Sequence, residues 1–224
     1  MSQPSQDLVV SRETEERLSV LLGLVAKWTR RINLVAPSTV PDGWRRHVLD
    51  SVQVHRAAPA ARHWVDLGTG GGFPGLVIAI LETERDIPAR VTLVESDRRK
   101  CSFLRTALRE TGSTARVIDA RIEAVPPLRA DVLSARALAP LGTLLGFAAR
   151  HLLPDGTALF PKGARWRDEV QAAQQDWTFS ADAIPSMTDP DAVLLRIGGI
   201  SPHAARETHT APDHRDRESE GGRR

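Results

Sequence analysis

The segment at residues 65–75, VDLGTGGGFPG, constrains this chain more than any other. It holds five glycines in eight residues, with the apolar run HWVDL before it and LVIAIL after it. Glycine removes the side chain where the backbone must turn tightly and lets a ligand approach the main chain. A strand that breaks into such a loop and restarts as a helix is the unit of a parallel α/β sheet. In such sheets ligands bind beyond the carboxyl ends of the strands.

The rest of the chain repeats the alternation. ARVTLVES, ARVID, ADVLSA and DGTALF read as further strands. Helices are expected at residues 73–81, 97–111 (closed by Gly112) and 141–151, with another at 165–175. Strand–helix–strand spacing of this kind implies crossover helices, hence a doubly wound, mostly parallel sheet. WTFSA and AVLLRIG are expected to close it as a hairpin-like edge. Before residue 60 the pattern is helical. Leu18, Leu21, Leu22, Val25, Trp28 and Ile32 recur at steps of three and four, with Ser11 as N-cap. A second helix is expected over 42–58, with Trp44, Val48, Leu49, Val52 and His55 along one face and Pro59 ending it. Residues 1–60 therefore read as a helical cap on the α/β unit at 61–200. Residues 201–224 carry five basic and five acidic groups and little to bury, so disorder is expected there.

Composition excludes several classes. A chain of 224 residues suits one compact domain. No apolar run is long enough to span a membrane, and the N-terminus lacks a signal-peptide layout. The single cysteine, Cys101, excludes a disulfide framework and a cysteine-based zinc site. The expectation is a cytoplasmic protein with no metal. A net charge of +2 excludes nucleic-acid binding by bulk charge, so any such contact must use local patches.

Two ligands compete for the glycine loop. Gly70, Gly72 and Gly75 spell G-x-G-x-x-G with Glu95 twenty residues on, the dinucleotide fingerprint. Alternatively Asp66, Gly68, Gly70 and Gly72 form D-x-G-x-G-x-G, the pattern of S-adenosylmethionine-dependent methyltransferases. Asp66 favours the second reading, because a carboxylate suits a cationic sulfonium and an amino group but repels a pyrophosphate. The chain is also too short for the separate substrate domain of many dehydrogenases. In both readings Glu95 accepts from ribose hydroxyls.

Four segments together carry a resemblance. RRHVLDS (45–51), VDLGTGGGFPG, SARALAP (134–140) and FPKG (160–163) are similar to the RsmG, or GidB, family of bacterial 16S rRNA guanine-N7 methyltransferases, from about residue 28 to 163. The resemblance implies a Rossmann-like methyltransferase fold with an N-terminal helical cap. It implies S-adenosyl-L-methionine as methyl donor and a single guanine of 16S rRNA, guanine 527, as acceptor. The partner is then 16S rRNA or the 30S subunit; apart from the resemblance, a monomer is the default expectation, and no membrane contact is expected. Loss of family members is associated with low-level streptomycin resistance. Residue by residue, it puts Gly68 and Phe73 on the cofactor, Ile122 and Glu123 beside the adenine, Glu95 on the ribose, and Arg136 at the active-site mouth, where Arg136 is expected to bind the cofactor together with Asp66, Gly70 and Gly72. The chain departs from the family's common strings at Asn33-Leu34-Val35, at Leu93-Val94-Glu95-Ser96, and at Phe160-Pro161-Lys162-Gly163.

Guanine N7 has an in-plane lone pair and no proton, so its methylation needs alignment rather than a general base. Arg136 is expected to orient the base or a phosphate, and Lys162 to touch phosphate or O6. Arg98, Arg99, Lys100 and Arg105 crowd the start of a helix against its dipole, which points to an external anion. Arg165 and Arg167 flank Trp166, a pattern suited to RNA by stacking and charge. The other classes are a methyltransferase with a small-molecule or protein acceptor and a non-enzymatic rRNA-binding assembly factor.

Overall fold

The computed structural model describes residues 10–203. The sheet has seven strands: β1 (His63–Leu67), β2 (Arg90–Glu95), β3 (Arg116–Asp119), β4 (Ala130–Ser134), β5 (Leu152–Lys162), β6 (Trp177–Pro185) and β7 (Val193–Pro202). Their order is β3-β2-β1-β4-β5-β7-β6. The first five are parallel, and β7 runs antiparallel to both β5 and β6. The doubly wound sheet and its hairpin edge are thus as expected. The chain order reverses between β1 and β4, and such a switch point opens a crevice at the strands' carboxyl ends.

Helices cover both faces. α1 (Arg12–Thr29), α2 (Asp50–Ala57), α3 (Gly75–Leu81) and α4 (Arg98–Thr111) pack over one apolar cluster that includes Leu18, Val52, Ile78 and Phe103. α5 (Leu141–His151) and α6 (Trp166–Ala173) belong with the other, which includes Leu67, Leu133, Leu145 and Phe160. α1 starts as its sequence predicts, with the Ser11 hydroxyl accepting from the Thr14 N–H at 3.1 Å. Trp28 at its far end meets Phe103 of α4 edge-on, with ring centroids 5.6 Å apart. Gly112 ends α4 at φ 64°, a left-handed C-cap.

Three expectations need correction. The second helix of the cap is composite: Trp44–Leu49 is a π-helical turn that runs into α2. Wider turns of this kind re-aim side chains, and this one carries His47 towards the sheet's crevice. α3 begins at Gly75, so Phe73 and Pro74 belong to the loop before it. Ser201 and Pro202, placed in a disordered tail from sequence, lie in β7 and pair with Thr178 and Trp177. The remainder of that tail, 204–224, lies outside the described residues.

One buried carboxylate knots the centre. Asp66, at the end of β1, has no exposed surface. Its Oδ1 accepts from the Ser134 hydroxyl of β4 at 2.7 Å. Its Oδ2 accepts from the Thr69 hydroxyl at 2.8 Å and the Gly75 N–H at 3.1 Å. Burial pushes its pKa up to about 6 against the pull of these hydrogen bonds and of Arg136. The loop can close over it only because residue 75 is glycine. A Cβ there would lie 2.6 Å from Asp66 Oδ2. We expect Gly75→Ala to destabilise the protein by about 1–3 kcal/mol, because the overpacked contact forces backbone and carboxylate apart. Urea unfolding checks this, and an unchanged midpoint would contradict it.

Candidate functional site

The glycine loop spans the crevice with Gly68, Gly70 and Gly72 at φ 60°, 57° and 90°. Gly70 matters most, because its N–H donates to Glu95 Oε2 at 2.9 Å from a conformation that an L side chain rarely adopts. Glu95 ends β2 and is 8% exposed. Its Oε1 accepts from the Ser96 and Asp97 N–H groups, both at 2.8 Å. A carboxylate has about four acceptor positions, so this one stays able to accept more on Oε2. The Ala120 N–H donates to the Glu95 carbonyl at 3.0 Å and ties the end of β3 alongside. The turn Ile122–Ala124 follows, with Ile122 buried and Glu123 exposed. Loop, Glu95 and Ile122 therefore lie along the carboxyl ends of neighbouring strands. Asp66 does not face this crevice. Its oxygens are buried under the loop, so it shapes the loop rather than offering a carboxylate to a ligand.

On the other side of the loop stands a second group. Phe73 is buried, and its ring stacks on His47 with centroids 4.8 Å apart and an interplanar angle of 24°. The Arg136 guanidinium lies 5.4 Å from the Phe73 centroid. Arg136 also donates to the Arg46 carbonyl and to His47 Nδ1, each at 3.3 Å. Its Nη1 is 3.6 Å from Asp50 Oδ2. Burial lowers the arginine's pKa and Asp50 opposes that, so it stays charged.

The histidine's tautomer follows from its neighbours. The Thr39 hydroxyl donates to the Ala36 carbonyl at 2.7 Å, which leaves its oxygen to accept from His47 Nε2–H at 2.9 Å. Nδ1 then carries no proton and accepts from Arg136. Burial, with Arg136 and Arg46 nearby, lowers the His47 pKa to about 4.

The cap is fastened over this group by the β6–β7 loop. Asp50 Oδ1 accepts from the Thr188 hydroxyl at 2.9 Å, and Arg45 donates to the Thr188 carbonyl at 2.9 Å. Gln53 donates to the Pro185 carbonyl at 2.6 Å and accepts from the Met187 N–H at 3.0 Å. A cavity of about 770 Å³ opens between cap, hairpin loop and the carboxyl ends of β4 and β5, lined by Arg46, His47, Asp50, Arg136, Arg165 and Asp168 among others.

Lys162 also borders this cavity, but its ammonium is engaged. It donates to Glu169 Oε2 at 2.7 Å and to the Ala139 carbonyl at 3.1 Å, while Leu141 N–H donates to the same carboxylate oxygen at 2.9 Å. Lys162 is thus a strut between β5, α6 and the start of α5, with a side chain only 9% exposed. The basic start of α4 has an internal answer as well. Asp97 caps the helix, accepting from the Arg99 and Lys100 N–H groups. Arg167 lies over the Trp166 ring at 4.3 Å, and Arg165 faces the cavity. Cys101 is buried and donates its thiol to the Glu95 carbonyl at 3.3 Å, a packing role. Sequence reasoning did not assign Asp50 or Thr188. Asp50 lies one helical turn past His47 within RRHVLDS, which was a usable signal; Thr188 gave none. Among the described residues, no cluster of three or more His, Cys, Asp or Glu could hold a metal, and no helix is long and apolar enough to cross a membrane.

Comparisons agree with this architecture. The sequence model of the GidB family, described as rRNA small subunit methyltransferase G, matches residues 14–193. A ribosomal RNA small subunit methyltransferase G of Ruegeria pomeroyi is 56% identical over 87% of this chain and 95% of that relative. The same-named protein of Paramagnetospirillum magneticum is 51% identical over 86% and 92%. Among solved structures, a TehB-like SAM-dependent methyltransferase from Corynebacterium glutamicum aligns with TM-score 0.55 at 16% identity, over 79% of this chain and 98% of that one. A ribosomal protein L11 methylase from Lactobacillus delbrueckii aligns with TM-score 0.53 at 18% identity, over 67% and 76%. The fold is the Rossmann-like methyltransferase fold.

The folded-state pKa of His47 lies below its unfolded value, so its contribution to stability is complete above about pH 6.5 and is lost as pH falls towards 4. Its imidazole NMR shifts should stay flat from pH 8 to about 5. A midpoint above 6 would contradict the neutral tautomer.

Proposed function

This chain belongs to the GidB family, rRNA small subunit methyltransferase G, and we propose that it transfers a methyl group from S-adenosylmethionine to N7 of a single guanine in 16S rRNA. One observation carries the reading beyond family membership. The glycine loop has Glu95 on one flank and Phe73 at its other end, and Phe73 packs against His47 and Arg136, which line a large cavity, so donor and acceptor sites would meet across a single loop.

The residues present fit the donor. Glu95 retains acceptor capacity for a ribose diol. Ile122 offers an apolar surface beside it for adenine, with Glu123 following. Gly68, Gly70 and Gly72 keep the loop free of side chains. When bound, S-adenosylmethionine supplies an electrophilic methyl on a cationic sulfonium, which guanine N7 accepts through its lone pair without a general base.

The protein's task is then alignment. Held in place, the base reacts as one partner in an effectively unimolecular step, an advantage of about 7–11 kcal/mol in well-oriented systems. Arg136, fixed over Phe73 and by His47, orients the base or an adjoining phosphate. Phe73 and His47 stack on one another and brace Arg136 from below. Lys162 acts through Glu169 by holding the cavity wall, rather than by touching RNA.

The decisive experiment incubates the protein with methyl-labelled S-adenosylmethionine and small subunits lacking the modification, then maps labelled bases. Label at N7 of one 16S guanine is expected. Cofactor binding without any rRNA label would overturn the acceptor assignment. In the same assay Arg136→Ala should lower kcat/KM by about 10–100-fold, the loss of one charged contact, while cofactor affinity stays within about threefold. Full activity at saturating RNA would remove Arg136 from the mechanism.

A further inference from the structure

We propose that Asp50 is the residue that selects guanine, its carboxylate accepting from base N1–H and N2–H while Arg136 beside it donates to O6. This deepens the reading above and rests on it.

Guanine presents one acceptor, O6, followed by two donors, N1–H and the 2-amino group. Adenine presents a donor and then an acceptor. A site that holds guanine by this edge needs a fixed donor next to a fixed acceptor. Arg136 and Asp50 are such a pair. Their Nη1 and Oδ2 lie 3.6 Å apart, adjacent but beyond a short hydrogen bond, so neither group is saturated by the other. Both side chains keep about a fifth of their surface open, 21% and 22%, and both line the large cavity.

Each member is held from behind. Asp50 Oδ1 is anchored by the Thr188 hydroxyl at 2.9 Å, and Arg136 by the Arg46 carbonyl and His47 Nδ1. The pair is also correctly located. Arg136 sits 5.4 Å from the centroid of Phe73, which follows the glycine loop directly. The cavity's other carboxylates meet these conditions less well. Glu169 is bonded to Lys162 and Leu141, and Asp189 accepts from the Asp191 N–H. Asp168 has an exposed side chain on α6, across from the cap.

A missing hydrogen bond to a charged acceptor that a bound base closes off from water discriminates more strongly than a missing apolar contact, because the acceptor is left unpaired. Inosine tests this, since it is guanine without the 2-amino group. Small subunits are reconstituted with guanosine or inosine at the methylated position, and N7 methylation is followed with wild type, Asp50→Asn and Asp50→Glu. We expect wild type to prefer guanosine by about 10-fold or more in kcat/KM. Asp50→Asn should reduce that preference to within about threefold, chiefly by slowing guanosine, and Asp50→Glu should restore much of it. The amide is isosteric and still accepts from Thr188, so the variant should still fold, and its melting temperature checks that it does. A preference unchanged in Asp50→Asn, or both substrates slowed equally, overturns the role of Asp50 while the methyltransferase reading stands. Absence of N7 label from wild type on guanosine subunits overturns that reading and this inference with it.

Discussion

The Asp66 carboxylate is the constraint on which the rest of this structure depends. It is buried without a cationic partner in hydrogen-bonding contact, and three donors from three places converge on it. Ser134 brings β4 to β1, Thr69 sets the loop, and Gly75 N–H fixes where α3 starts. Unmet, such a group in the interior would be costly, so the fold surrounds it completely. The consequence reaches the surface. A loop pinned from below can present Gly70 to Glu95 from above and Phe73 to Arg136 at its far end. The groups on both flanks therefore share one reference point, and alignment across the loop follows from the interior rather than from the groups themselves.

Much of this was legible because the signals are local. Alternation of short apolar runs with helical segments gave the parallel sheet, and turn residues marked its strand ends. The glycine loop identified the crevice. Asp66 shows where local reading stops. Its acid next to a glycine loop suggested a contact with a cation, yet in a strand buried on both faces the sequence does not say which way a side chain points. Lys162 shows a second limit. A lysine at a strand end looks available until Glu169, seven residues on, comes back along α6 to meet it. At the start of α4 the N-cap Asp97 satisfies two backbone donors, while Arg98, Arg99 and Arg105 stay exposed.

What stayed hidden were the contacts between distant segments. Nothing near residues 45–53 announces that they will bond to residues 185–188. Those contacts are made by backbone carbonyls and small polar groups, which carry no periodicity. The composite π and α segment of the cap is similarly silent, since its apolar spacing resembles that of an ordinary helix. Yet these features decide the cavity's shape and put Asp50 and His47 where Arg136 can reach both.

The fastening of cap to hairpin loop has a temporal meaning. Arg45 and Thr188 are 143 positions apart, so one wall of the cavity is synthesised well before its latch. A nascent chain can complete β1 through β5 and the glycine loop while the cap still lacks its anchor. A ligand that needs only the loop could then be held before the acceptor cavity exists, whereas an acceptor that needs both walls must wait for β7. Truncation before residue 185 would thus remove the contacts that hold the cap against the β6–β7 loop.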